Sequence, residues 1–469
     1  MAKIVLSFYN AVLKANLSEM PCFYEGFVKG LLDAGNNVLV FSDYGRKRPH
    51  AKDKALVSEA IKKFNPDVVI AFNNYGPDYA NLVDCPIIVY EVDSPIFYEN
   101  TNSIQNFPSR YKFIVCQLES RSFLTEHFNV PTKNIWYTPF FSEVKACNTI
   151  KHFNISFIGS PFSNGHPHWL EWGIRQKKIS NKLKLLYLDL LSDIRKNPFD
   201  VMVAKSSKYK ALCLDISDVY KLIGDLSAEK RIMTLSSVAD LGLTIFGPKE
   251  WKKVVQLNPN MFFAYNPKRL FSLKQNQDLY NASKICLNIN HLQAKSGFSW
   301  RVCDIMASSG CLVTEYNPCF KSLFPKVPIP TFTNRFEARE KCVYLLREDN
   351  YRLEIIEKCQ TMIDQNYRFK NILPIIQDAA NIKLYSTAKG YVDFIGYTLK
   401  NSKNRGGGGG VLINAIKYQY MSMVGDYKNA LKCRRKIIDS LNDFDVSGIA
   451  SLWTLESELI ECNQLGGTT

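Results

Sequence analysis

Short apolar runs alternate with stretches of helical period along most of this chain. Residues 3–8 (KIVLSF), 37–42 (NVLVFS), 68–72 (VVIAF), 86–90 (PIIVY) and 113–117 (FIVCQ) read as buried strands, and 135–139 approaches the end of the first half. Helical patterns at 18–34 and 55–64 lie between them, and Gly35 stops the first. This alternation predicts an α/β fold, with a parallel sheet under helices over residues 1–150. A second half over 151–365 carries strands at 155–160 (ISFIGS), 243–246, 261–265, 283–290 and 311–314. Its alternation is interrupted at about 169–230 by a long, basic, helical-patterned insertion. A polar helix over 337–364 follows, and 366–404 reads as closing helices. Residues 405–410 (RGGGGG) form a flexible linker, and 411–469 form a helical tail. One hairpin in that tail, 415–439, resembles a single tetratricopeptide-like unit, suited to a protein partner or to self-association.

The second half is organised around 283–315, a strand, a polar loop, a helix and a strand. Ser299 is placed to cap a helix starting near Trp300, and Gly310 closes it. Ligands of open parallel sheets sit outside the carboxyl ends of strands, where helix N-termini offer free N–H groups. Lys295 and Arg301 flank this N-terminus, which suits a diphosphate. Asp304, three residues after Arg301, is a candidate acceptor for ribose hydroxyls. The strand ending in Gly159 and Ser160 allows a second close approach to phosphate.

Composition adds bounds. The chain has 469 residues with 46% hydrophobic and 22% charged content, enough for two or three globular domains. No apolar run approaches membrane-spanning length, and the first residues lack a signal peptide's pattern, so a cytoplasmic protein is expected. The 13 cysteines are scattered without a Cys-x-x-Cys pair, which predicts reduced thiols and neither a disulfide framework nor structural zinc. A net charge of +15 suits phosphate-bearing substrates or a peripheral contact with the anionic inner face of the cytoplasmic membrane. The basic residues are dispersed and no nucleic-acid-binding motif is present, so nucleic acid is not an expected partner.

Two further groups are candidates for chemistry. Glu91 and Asp93 follow a strand, and two residues apart in extended backbone they point the same way, as a general base pair would. The competing reading is a solvated turn, which Pro95 favours. His166 and His168 lack nearby carboxylates or thiols and read as ordinary loop residues, so no metal site is expected.

The motifs at 155–160, 242–247 with Trp251, 280–314, 367–373 (YRFKNIL) and 89–95 (VYEVDSP) resemble the CgeB-like glycosyltransferases over about residues 60–380. The resemblance implies a GT-B fold, two Rossmann-like domains facing a cleft, with an acceptor side at 1–150 and a nucleotide-sugar side at 151–365. It implies donor contacts from Gly159, Ser160, Lys295, Ser296, Gly297, Arg301 and Asp304, with no metal and no cofactor beyond the nucleotide-sugar substrate. Many such transferases carry Glu-x7-Glu where this chain has Ser296 and Asp304. That departure favours an inverting displacement with Asp93 or Glu91 as base. The implied acceptor is a bacterial surface glycan or lipid-linked relative: capsule, lipooligosaccharide or glycoprotein. Alternatives are a sugar-nucleotide epimerase and a non-catalytic GT-B-like interaction protein.

Overall fold

A computed structural model describes residues 1–9, 20–43, 51–162, 216–293 and 295–396, with a few isolated positions elsewhere. The insertion as far as residue 215 is almost wholly outside the described residues. So are His166, His168, the glycine linker and nearly all of the tail, including the helical hairpin. The described core belongs to one compact unit, Met1–Tyr397.

Its first sheet contains β1 (Lys3–Tyr9), β2 (Asn37–Asp43), β3 (Val68–Phe72), β4 (Ile87–Tyr90), β5 (Tyr111–Val115) and β6 (Ile135–Tyr137). The second contains β7 (Phe153–Ile158), β8 (Leu243–Phe246), β9 (Tyr265–Asn266), β10 (Ser283–Asn288), β11 (Cys311–Glu315) and β12 (Thr331–Phe332). A thirteenth strand, β13 (Val392–Gly396), returns to the first sheet. The orders are β13-β2-β1-β3-β4-β5-β6 and β12-β11-β10-β7-β8-β9. Every pairing is parallel. β3, β4 and β11 are buried at every position, as expected of strands covered on both faces. The architecture is the expected two-domain GT-B arrangement.

A shared aromatic core joins the halves. Phe23, on the helix Cys22–Asp33, stacks on Trp300 with ring centroids 5.5 Å apart. On the same helix, a Cβ at Gly30 would overlap the ring of Phe369, so glycine is what allows this close approach. Phe369 opens the helix Phe369–Ala380, which packs against β4 and β5 of the first half. The Arg368 guanidinium donates to the carbonyls of Ser142 (2.8 Å) and Val144 (2.6 Å), fixing the link between the halves.

Three expectations are corrected. Residues 261–265 form no strand: Pro259–Ala264 is a 3-10 turn, and pairing begins only at Tyr265. Proline fixes the φ of the turn's first residue and lacks a ladder donor. The polar helix over 337–364 is two helices, Arg335–Arg347 and Asp349–Asn366, broken at the non-helical Glu348. The closing segment is not purely helical, because β13 pairs with β2. The helical pattern read at the end of the insertion is present, and it contributes to the core. The helix Ile216–Ser237 buries Ile223, Leu226 and Leu235.

Among the described residues, no helix is long and apolar enough to cross a membrane, and the cysteines are free thiols.

Candidate functional site

The carboxyl ends of both sheets face one cavity of about 750 Å3. Its first-half wall comes from the ends of β1 (Tyr9), β3 (Tyr75), β4 (Val92, Asp93) and β5 (Cys116, Gln117). The second-half wall comes from Ser160 after β7, the loop after β10, Arg301 and, from the insertion's last helix, Arg231.

Asp93 is held from both sides of the cleft. Its carboxylate accepts from Asn73 Nδ2 (2.8 Å) and from Gln293 Nε2 of the second half (2.7 Å). Asn73 Oδ1 also accepts from the backbone N–H groups of Val92 (2.9 Å) and Asp93 (3.0 Å), which fixes the turn. Burial raises the Asp93 carboxyl above its ordinary range, against the lowering effect of both amides. That combination suits a base lining a cavity.

Glu91 does not share this site. Extended geometry ends at Tyr90, so the two carboxylates part company. Glu91 is fully buried and accepts from the N–H groups of Cys116 (2.6 Å) and Gln117 (3.2 Å), Gln117 Nε2 (3.0 Å) and the Ser120 hydroxyl. Burial pushes its carboxyl up to about 8, despite these donors. The folded state therefore keeps a proton that the unfolded chain releases above about 4.5, and stability falls as pH rises from about 4.5 to about 8. Glu91→Gln should flatten that slope, worth roughly 1.4 kcal/mol per unit at most. Urea unfolding of both proteins across this window checks it, and parallel slopes would refute it.

The second-half wall presents donors. Arg231, 3% exposed, donates from one terminal nitrogen to the Ser160 carbonyl (2.5 Å) and from the other to the Ile289 carbonyl. Its Nε is buried with no partner. Burial, together with the charge of Arg301, depresses its basicity well below the usual guanidinium range. Arg301 donates to Ser299 Oγ (2.9 Å). Burial and the cations Arg231 and Lys230 lower His291 to about 3, so its imidazole is neutral. Its Nδ1 accepts from the Gln293 N–H (3.2 Å), which leaves the ring proton on Nε2. Asn290 Oδ1 accepts from Asn288 Nδ2 (3.0 Å), leaving its own amide N–H groups to donate. The nearby carboxylate Glu315 is engaged by Lys230 Nζ (3.0 Å) and the Asn290 N–H (3.0 Å). Two guanidiniums, an imidazole N–H and an amide make a wall suited to an anion, across the cavity from the carboxylates Asp93 and Glu99 of the first half.

The other expected donor contacts stand elsewhere. Gly159 lies behind the wall, its carbonyl accepting from Trp251 Nε1 (2.7 Å). Lys295, Ser296 and Gly297 form a latch against the first half. Glu119 accepts from the N–H groups of Lys295 (2.8 Å) and Ser296 (2.9 Å) and from the Ser296 hydroxyl. A Cβ at Gly297 would overlap the Gln117 side chain. Asp304 is 2% exposed and outside the cavity lining, accepting from Ser142 Oγ (2.6 Å) and Cys22 Sγ (3.4 Å). The cavity thus gathers Asp93, Ser160 and Arg301 of the expected residues. It adds Arg231, Asn290, His291 and Gln293, which sequence reading did not single out. For the last three, a polar loop directly after a buried strand was the available signal. For Arg231 there was none beyond a Lys-Arg pair in a helical pattern.

Among the described residues, no group of His, Cys, Asp and Glu is placed to hold a metal ion. Residues 230–378 match the family described as glycosyl transferase-like. No curated protein sequence matches significantly. Among solved structures, a sucrose-phosphate synthase from Thermosynechococcus elongatus is 9% identical with a TM-score of 0.49, covering 80% of this chain and 98% of its own. The T4 phage BGT complex with its UDP-glucose substrate is 11% identical with a TM-score of 0.45, covering 81% and 100%. Anabaena Alr3699/HepE in complex with UDP and glucose is 11% identical with a TM-score of 0.43, covering 81% and 100%.

Proposed function

We propose that this chain is a glycosyltransferase of the CgeB-like type, moving a sugar from a nucleotide-sugar donor to a glycan or lipid-linked acceptor of a bacterial surface. The observation that carries the reading is the single cavity with Asp93 on one wall and Arg231 and Arg301 on the other. The glycosyl transferase-like match over 230–378 supports it, since that segment supplies the whole donor-rich wall except Ser160 and Phe162.

In this reading the acceptor hydroxyl oxygen attacks the anomeric carbon as its proton passes to Asp93. The bond from that carbon to the diphosphate oxygen breaks, and its electron pair stays with the diphosphate. Arg231, Arg301 and the His291 N–H offset the developing charge without a metal. One displacement inverts the anomeric centre. The aromatic rings of Tyr9 and Tyr75, with centroids 5.5 Å apart beside Asp93, give the acceptor side an apolar wall for a sugar ring. The basic balance of +15 favours peripheral contact with an anionic membrane, where such acceptors are assembled.

Ligand-observed NMR against UDP, GDP, CMP, dTDP and ADP tests the donor half. One nucleotide should bind, and Arg301→Ala should weaken it by about tenfold or more. Unchanged affinity in the variant would remove Arg301 from the site. Silence from all five would favour a non-catalytic interaction protein, a reading to which the structural engagement of Ser296 and Asp304 already lends weight.

A further inference from the structure

The free edge of the second sheet carries an unusual surface. Its last strand, β9, follows the turn Pro259–Ala264, which places Phe262 and Phe263 side by side with ring centroids 5.3 Å apart. Phe263 is 96% exposed and Phe262 is 45% exposed. The turn beneath them is anchored, since Met261 and Ala264 are buried. The two rings are thus held outward by a fixed base.

The surrounding chain is strongly basic. Residues 248–274 contain Lys249, Lys252, Lys253, Lys268, Arg269 and Lys274 against the single carboxylate Glu250. Lys249, Lys268 and Arg269 are exposed, and Phe246 pairs with Asn266, so the chain leaves β8 and β9 side by side into these basic residues. Another exposed aromatic, Phe336, lies instead among mixed charges, with Glu337 and Glu340 nearby in sequence. Exposed aromatic rings flanked by cations fit the boundary between lipid headgroups and acyl chains. The rings leave water there, and the cations meet anionic phosphates.

We propose that the β9 edge docks on an anionic lipid bilayer, with Phe262 and Phe263 inserted and Lys249, Lys268 and Arg269 against the headgroups. This gives the peripheral membrane contact a place on the molecule. It needs no donor chemistry, so it stands or falls separately from the transferase assignment.

Co-sedimentation of the full chain with vesicles tests it, using phosphatidylcholine alone and phosphatidylcholine mixed with phosphatidylglycerol. The wild type should bind the mixed vesicles, bind the neutral ones at least tenfold less, and release as salt rises. Phe262→Ser with Phe263→Ser should reduce binding about tenfold or more. Reversing Lys249, Lys268 and Arg269 to glutamate should reduce it beyond about a hundredfold, since each basic residue is worth roughly fivefold. The sites are exposed, so unchanged melting temperatures identify folded variants. Phe263→Trp gives a local readout, with an emission difference from wild type that moves to the blue on anionic vesicles. Absence of wild-type binding would overturn the proposal. So would wild-type-like binding by both variants, or an unmoved emission difference in Phe263→Trp with binding intact. NMR with nucleotides, run on the same variants, separates a failed membrane site from a failed donor site.

Discussion

Arg231→Met should lower nucleoside diphosphate affinity by about a hundredfold, a larger loss than is expected of any other single change on the donor wall. The guanidinium has five N–H donors, and its two backbone carbonyl contacts use only two. Its buried Nε has no protein partner, and Arg301 repels it across the same cavity. An anion between the two arginines would relieve that repulsion and meet the remaining donors. Loss of one such charge-assisted set costs about 2–4 kcal/mol. Methionine keeps a buried stem, but it loses the guanidinium's place over the rings of Phe157 and Phe162, whose centres lie 5.2 Å and 3.7 Å from its carbon, and it frees the carbonyls of Ser160 and Ile289. Arg231→Lys is therefore the companion variant, keeping the charge without the fork and losing about tenfold. Calorimetric titration with the nucleotide that binds wild type, beside melting curves, reads both. A folded variant with wild-type affinity would take Arg231 out of the donor site.

The sequence is legible where one local pattern has one physical cause. Strands β3 and β4 are buried on both faces, so they read as unbroken apolar runs whatever their partners. β13 is different: as an edge strand its pairing is made by β2, more than 300 residues away, and VDFIG carries too little local signal to announce it. Asp304 shows how spacing misleads. Three residues of helix rotate a side chain by about 300°, which leaves it about 60° from Arg301. On a six-residue helix packed against the first half, that offset turns the carboxylate toward Ser142 and Cys22 and away from the cavity. Arg231 was hidden for the opposite reason. Basic residues in a helical pattern usually face water, and only the tertiary fold brings this one beneath the ends of β7 and β10. Glu119 and Ser296 likewise meet only because the two halves close on each other.

Asp93→Asn should reduce turnover by about a thousandfold while leaving donor affinity unchanged. Asn73 and Gln293 hold this carboxylate from opposite halves, so the base is aligned only when both halves are in place. Asparagine matches its shape, and the Gln293 amide can rotate to offer its oxygen to the new NH2, so the cleft geometry is kept at small cost. What is lost is the capacity to take the acceptor's proton. The pH profile separates that loss from a mere disturbance of packing. Burial raises the Asp93 carboxyl, so wild-type turnover should decline as pH falls through that raised value, where the base becomes protonated. Asp93→Asn should lose this acid limb along with its rate, because nothing at position 93 then titrates. Gln293→Ala removes one of the two amides that favour the charged form, so the limb should move to higher pH with part of the rate retained. If Asp93→Asn keeps the acid limb, another group is the base. If it keeps wild-type turnover, the acceptor half of the mechanism is wrong even with the donor half intact.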